Sequence, residues 1–190
     1  MRLDEKIQFF FKKPEENPVL PGKFSTLYLL RRDISICFGV YPKKEAGVKI
    51  LAGATLPGVM AILAGIDLLG KFYAGDDSIN SGVGSRYRAF TEKYIDQYNS
   101  QTLYQLRNAL LHSFGFYSKT PQAEYRFILS QNQNEFIRSD INNTYFINVK
   151  ILWDKFEKGV DIYFEELLRS PDLQKRFVLM FDNYGSTKIG

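Results

Sequence analysis

Apolar side chains recur at three- and four-residue spacing along much of this chain, a period that predicts helices. Over residues 24–38 the positions Leu27, Leu30, Ile34 and Phe38 keep that spacing, while Ile34, Ile36 and Phe38 also fit the alternation of a strand, and Pro42 ends either one. A second helical segment is expected from about 45 to 73, kinked or broken at Pro57 and stopped by Gly75-Asp76-Asp77. Residues 78–85 are expected to form a small-residue loop, loosened by Gly82 and Gly84. A helical region over 86–114 then divides near Asn99-Ser100, where Ser100 or Thr102 can cap a new start. From Ala123 the period becomes alternating. Residues 125–129 and 135–138, separated by a polar stretch, are expected to pair as a β-hairpin, with 144–149 adding a strand. A helix from about 149 to 168 follows. The last helix is the best marked, with Ser170 as N-cap, Pro171 at the first helical position and Asp172 at the positive end of the dipole.

The expected class is therefore mainly α, a helical bundle with a small antiparallel β element in the C-terminal half, the hairpin being inserted near 123–149. Residues 1–23 hold Phe9-Phe10-Phe11 and then Pro14, Pro18 and Pro21-Gly22. They read as an arm, packed or loosely docked, ahead of one domain at 24–190.

Composition narrows the chemistry more than it narrows the fold. With 190 residues, 45% of them hydrophobic and 15% aromatic, the chain has the means to build one core, which excludes intrinsic disorder. The net charge of +4 is compatible with a polyanionic partner without requiring one. One Cys, Cys37, and one His, His112, exclude an internal disulfide and a Cys/His zinc cage within a chain, so a reducing, cytoplasmic location is expected, with no metal and no cofactor. Cys37 lies in the apolar stretch 34–38 and reads as a buried, inert thiol. The N-terminal apolar run is too short for a signal peptide. The charge-free run 50–66 is at the lower limit for a membrane span and carries Pro57-Gly58 in its middle, so it is expected to be a buried helix, with no membrane partner. Its dense Gly and Ala allow neighbouring helices to approach closely. Gly82-Val83-Gly84-Ser85-Arg86 lacks the Lys-Ser/Thr of a phosphate cradle. Asp76-Asp77 reads as a helix-terminating turn rather than a cation site.

The sole His sits in an informative helix. Leu103, Leu106, Leu110 and Phe114 form its apolar stripe, and at about 100° per residue Arg107 projects within that stripe, only about 40° from Leu103. Asn108 and His112 share a neighbouring face, and a long Arg side chain can still converge with the imidazole. A guanidinium among apolar residues needs a partner, and Asp67, which interrupts the apolar run 64–70, is the best candidate. On spacing alone a structural Asp67–Arg107 pair tying two helices together stands beside any catalytic role.

At these residues the sequence resembles the HEPN superfamily (higher eukaryotes and prokaryotes nucleotide-binding domains), which is marked by an Arg, four to six intervening residues and a His on a late helix. Arg107-Asn108-Ala109-Leu110-Leu111-His112 matches with four intervening residues and a polar residue after the Arg, and residues 65–72 look like the helix whose polar residue faces the motif. The resemblance spans roughly 46–118 and leaves out the arm and everything after about Lys119. It implies a HEPN-like helical bundle that often homodimerises and, in active members, a metal-independent endoribonuclease. On that basis the candidate catalytic residues are His112 as general acid/base, Arg107 as anion stabiliser, Asn108 as an orienting group and Asp67 facing them. Candidate substrate contacts are Lys71, Arg86, Arg88 and Tyr104, in a neighbourhood that also holds Lys93, Tyr73, Tyr87 and Tyr94; a solvated helix face explains the same cations. Because a chain has one His, a two-proton shuttle needs a second copy. The expected function is an RNA-binding protein or RNase of a defence or toxin-antitoxin system, with RNA, a second copy of the chain and an antitoxin protein as partners. The alternative is a non-catalytic homodimeric interaction module.

Overall fold

Helix α3 (Thr55–Ala74) is apolar on nearly every side, because α2 (Thr26–Cys37), α4 (Val83–Phe90), α5 (Ser100–Ser113), α6 (Val149–Arg169) and α7 (Pro171–Tyr184) all pack against it. The computed structural model describes residues 1–14, 22–39, 54–78 and 82–188. Val59, Ile62, Leu63, Ile66, Leu69 and Phe72 are fully buried along α3. Close approach depends on two of its glycines: a Cβ at Gly65 would lie 2.8 Å from the Phe156 ring of α6, and one at Gly70 would lie 3.1 Å from the Arg86 carbonyl of α4. Among the described residues α3 is the one helix long and apolar enough to cross a membrane, and 56% of its most apolar window is buried inside the protein. The expected helical stretch 45–53, and with it residues 50–53 of the charge-free run, lies outside the described residues. Pro57 stands in the first turn of α3, where its missing N–H costs nothing, and Gly75 ends the helix in the left-handed conformation with φ 68°.

The other helices follow from local chemistry. Ser25 caps α2 by accepting from the Tyr28 amide, which decides the 24–38 ambiguity in favour of a helix. Helix α4 continues into a π-helical turn, Thr91–Ile95, that α6 packs against at Gly159. Ser170 caps α7 by accepting from the Leu173 amide at 3.3 Å, with Pro171 in the first turn. Ser170→Ala is expected to lower stability by about 1 kcal/mol and Ser170→Gly by only a few tenths. Urea midpoints read the difference, and equal midpoints for wild type and Ser170→Ala would remove the cap from the account.

The β structure corrects the expected class. A mainly α bundle with a small antiparallel element is overturned by a four-stranded mixed sheet built from β2 (Tyr117–Lys119), β3 (Glu124–Ser130), β4 (Ile137–Ser139) and β5 (Thr144–Asn148) in the order β2-β3-β5-β4. The strands expected to form a hairpin do not pair with each other. Strand β5 lies between them, parallel to β3 with Ile128 opposite Phe146, and antiparallel to β4 with Arg138 opposite Phe146.

Turn chemistry explains the difference. The tight turn sits at 140–143, where Asp140 accepts from the amides of Asn142 and Thr144, and Asn143 takes φ 55°. The polar stretch after β3 does not turn back. The Gln133 side chain donates to the carbonyls of Phe136 and Phe146, and the Asn148 side chain donates to the Gln133 carbonyl, so the segment is stitched to the end of β5. Phe127 and Ile147 on the inner face of the sheet join the helical core. A second, two-stranded sheet pairs β1 (Phe24–Ser25) with β6 (Ser186–Thr187), bringing the end of α7 to the start of α2. Helix α1 (Leu3–Phe11) buries Ile7, Phe10 and Phe11 in the same core.

Candidate functional site

The last two turns of α5 carry the site. Leu103, Leu106 and Leu110 point into the core, and Arg107 goes in with them, only 8% exposed. Its guanidinium is met from α3: Nη2 donates to Asp67 Oδ2 at 2.5 Å. The other terminal nitrogen, Nη1, donates to Asn108 Oδ1 at 3.2 Å and lies against His112 Nε2. Asp67, Arg107, Asn108 and His112 are thus brought together in one chain. The Nε atom of Arg107 is buried with no partner among the described residues.

Beneath the pair lies Tyr87 of α4, fully buried, its hydroxyl also unpartnered among the described residues. Burial pushes the Tyr87 phenol well above its ordinary value; the Asp67 charge adds to the rise and the Arg107 charge opposes it. The phenol therefore stays neutral and supplies no base to the site.

His112 itself is exposed, on the final turn of α5. The helix stops at Phe114, a non-glycine residue in the left-handed conformation at φ 51°, and Gly115 N–H returns to the Ala109 carbonyl at 3.0 Å. That stop turns the chain into β2, which lies against α5. Between them is an open groove of about 480 Å³. Gln105, Asn108, Ala109 and His112, spaced as one helix face, form one wall, and Tyr117–Lys119 with the following Thr120-Pro121 form the other. Ser118 Oγ donates to Gln105 Oε1 at 2.6 Å across the floor.

The four expected substrate contacts are placed elsewhere. Lys71 Nζ sits 4.2 Å over the Tyr184 ring. Arg86 is buried and held by Asp76 at 2.9 Å and by the Ser78 carbonyl at 3.0 Å. Arg88 lies 5.2 Å over the Tyr104 ring, and Tyr104 packs on Tyr87. The groove wall supplied by β2 was missed from sequence. A three-residue strand gives too short an alternation to register, and Phe116-Tyr117-Ser118-Lys119 offers no stronger signal.

Other candidate chemistry is engaged structurally. Asp76 accepts from the Ser78 amide and pairs with Arg86, while Asp77 accepts from the Tyr184 hydroxyl at 3.0 Å. Cys37 is half-buried, and burial first, then the Asp33 charge, pushes its thiol up, away from a reactive thiolate. Among the described residues no three His, Cys, Asp or Glu side chains gather to hold a metal ion.

Comparison with known proteins finds no matching family model, no matching curated protein and no matching solved structure.

Proposed function

We propose that this protein binds RNA in the groove between α5 and β2 and cleaves it without a metal ion, as its resemblance to the HEPN superfamily implies. The observation that carries the reading is the exposed His112 imidazole, set against the part-buried Arg107–Asp67 pair at the edge of a groove whose volume of about 480 Å³ lies in the range of ligand clefts. In the reaction a ribose 2′-oxygen attacks the adjacent phosphorus and the P–O5′ bond breaks, leaving a 2′,3′-cyclic phosphate and a 5′-hydroxyl. The 2′-OH proton goes to a base and the departing 5′-oxygen takes one from an acid. His112 Nε2 takes the 2′-OH proton once it leaves Arg107, and the imidazolium of a second copy's His112 gives its proton to the departing 5′-oxygen. Once Nη1 is released from the imidazole, it stabilises the charge on the phosphorane. One imidazole cannot do both jobs at once, so a homodimer supplying a second His112 completes the shuttle. An antitoxin protein covering the groove fits the same setting.

A non-catalytic interaction module is favoured by one observation: Arg107 is 8% exposed and both its terminal nitrogens are already engaged. RNA cleavage in EDTA separates the two. Wild type is expected to give cyclic-phosphate ends, and His112→Ala, an exposed substitution, to lose about 10²–10⁴ in rate with its melting temperature unchanged. Arg107→Lys tests the guanidinium. Cleavage that survives both substitutions rejects the site, and RNA binding without cleavage by the wild type leaves the interaction module.

A further inference from the structure

We propose that the outward face of the four-stranded sheet is a platform for single-stranded RNA that feeds the His112 groove, an inference that rests on the RNA reading of that groove. Register places Tyr117, Arg126, Ile128, Phe146 and Arg138 on one face. Tyr117 is opposite Arg126, Ile128 is opposite Phe146, and Phe146 is opposite Arg138. This is the face turned away from the core, since the alternate residues Phe127 and Ile147 are the buried ones. Ile128, on the interior strand β3, is 46% exposed, and Tyr117, on the edge strand β2, is 45% exposed, so the face carries open apolar surface.

Both rings on this face carry a guanidinium. Arg138 lies 4.5 Å over Phe146 and Arg126 lies 5.7 Å over Tyr117. Stacked Arg–aromatic pairs are what unpaired bases use, since both the guanidinium plane and the ring present a face to a base, and the charge meets the phosphate. Tyr117 and Phe146 stand on strands two spacings apart, about 10 Å, which suits bases laid side by side. Lys119 adds a third cation, and the facing carboxylate, Glu124, is held by Lys119 and Arg126 at 3.2 Å each. The face is therefore net positive. It is also continuous with the groove, because Tyr117 and Lys119 line both. A duplex would hide its bases from such a surface, which selects single strands.

The test uses a fluorescent single-stranded RNA of about 12 nucleotides, the same sequence as a duplex, and a dinucleotide that fills the groove alone. Phe146→Ala with Arg138→Gln, both outside the groove, is expected to weaken single-strand binding at least tenfold and to flatten the salt dependence by about one unit of log–log slope. Dinucleotide cleavage is expected to stay at the wild-type rate, and the duplex to bind more weakly than the single strand. The exposed Arg138→Gln alone, with an unchanged melting temperature, serves as the folding control and is expected to flatten the slope. Wild-type binding by the double variant, while His112→Ala still abolishes cleavage, overturns the platform and leaves the groove. Equal affinity for duplex RNA overturns it too. Loss of a dimer in sedimentation with RNA affinity unchanged overturns it in favour of an interface between copies. A wild-type protein that neither binds nor cleaves RNA rejects the groove and the platform together.

Discussion

Asp67→Ala is expected to cost about 2–4 kcal/mol of folding stability, far more than removal of a surface ion pair. The carboxylate meets Arg107 Nη2 at 2.5 Å, with only 10% of the Arg107 side chain and 21% of the Asp67 side chain exposed. Removing it strands a guanidinium among Leu103, Leu106 and Leu110, with Nε already lacking a partner among the described residues. The cost stays below that of a fully buried pair because water reaches the Asp67 side. Replacing both partners, Asp67→Leu with Arg107→Met, removes the desolvation penalty along with the attraction and is expected to recover most of the loss. Urea denaturation of wild type, Asp67→Leu, Arg107→Met and the double variant completes the cycle, with Asp67→Ala measured alongside. A loss under about 0.5 kcal/mol for Asp67→Ala would show that solvent, not the carboxylate, satisfies Arg107. The double variant also separates stability from chemistry: it is expected to fold well and to leave His112 without the guanidinium it lies against.

The pairing of Asp67 with Arg107 was legible because burial makes misplaced charges conspicuous. An Asp in the apolar run 64–70 and an Arg in a leucine stripe each demand a counter-charge, and the chain offers few choices. His112 stands out in the sequence for its rarity, and the fold sets it against Arg107. The substrate contacts were not, because Lys71, Arg86 and Arg88 are ordinary helix cations in sequence, and only packing shows that a tyrosine ring, an Asp76 cap and another tyrosine ring occupy them. The sheet failed for a different reason. Alternation located β3, β4 and β5 nearly in place, but alternation is silent about partners. The pairing was settled by Asp140 and Asn143 in one turn and by Gln133 and Asn148 in the other. Gln133 and Asn148 act on backbone groups 13 and 15 residues from their own positions, which no local pattern shows.

Phe10→Ala is expected to be the most damaging of the single truncations, at about 3–5 kcal/mol. The arm that sequence left as either packed or loosely docked contains α1, and the Phe10 ring is fully buried among Phe72 at 4.5 Å, Phe11 at 5.1 Å, Phe177 at 5.5 Å and Phe181 at 6.4 Å. Those rings come from α1, α3 and α7, so the cavity would open where three helices meet. The backbone is tied in as well. The Ser25 hydroxyl that caps α2 donates to the Phe10 carbonyl at 2.7 Å, and Lys6 pairs with Asp182 of α7 at 2.8 Å. An arm with these ties melts with the protein. Phe10→Ala is therefore expected to lower the urea midpoint in one cooperative transition with its slope unchanged. Phe9→Ala, half-buried against Phe181 at 6.3 Å, should lose much less. A biphasic curve with α1 released first, or a loss of less than about 1 kcal/mol, would make α1 an appendage and place the stability of the core in α3, α6 and α7 alone.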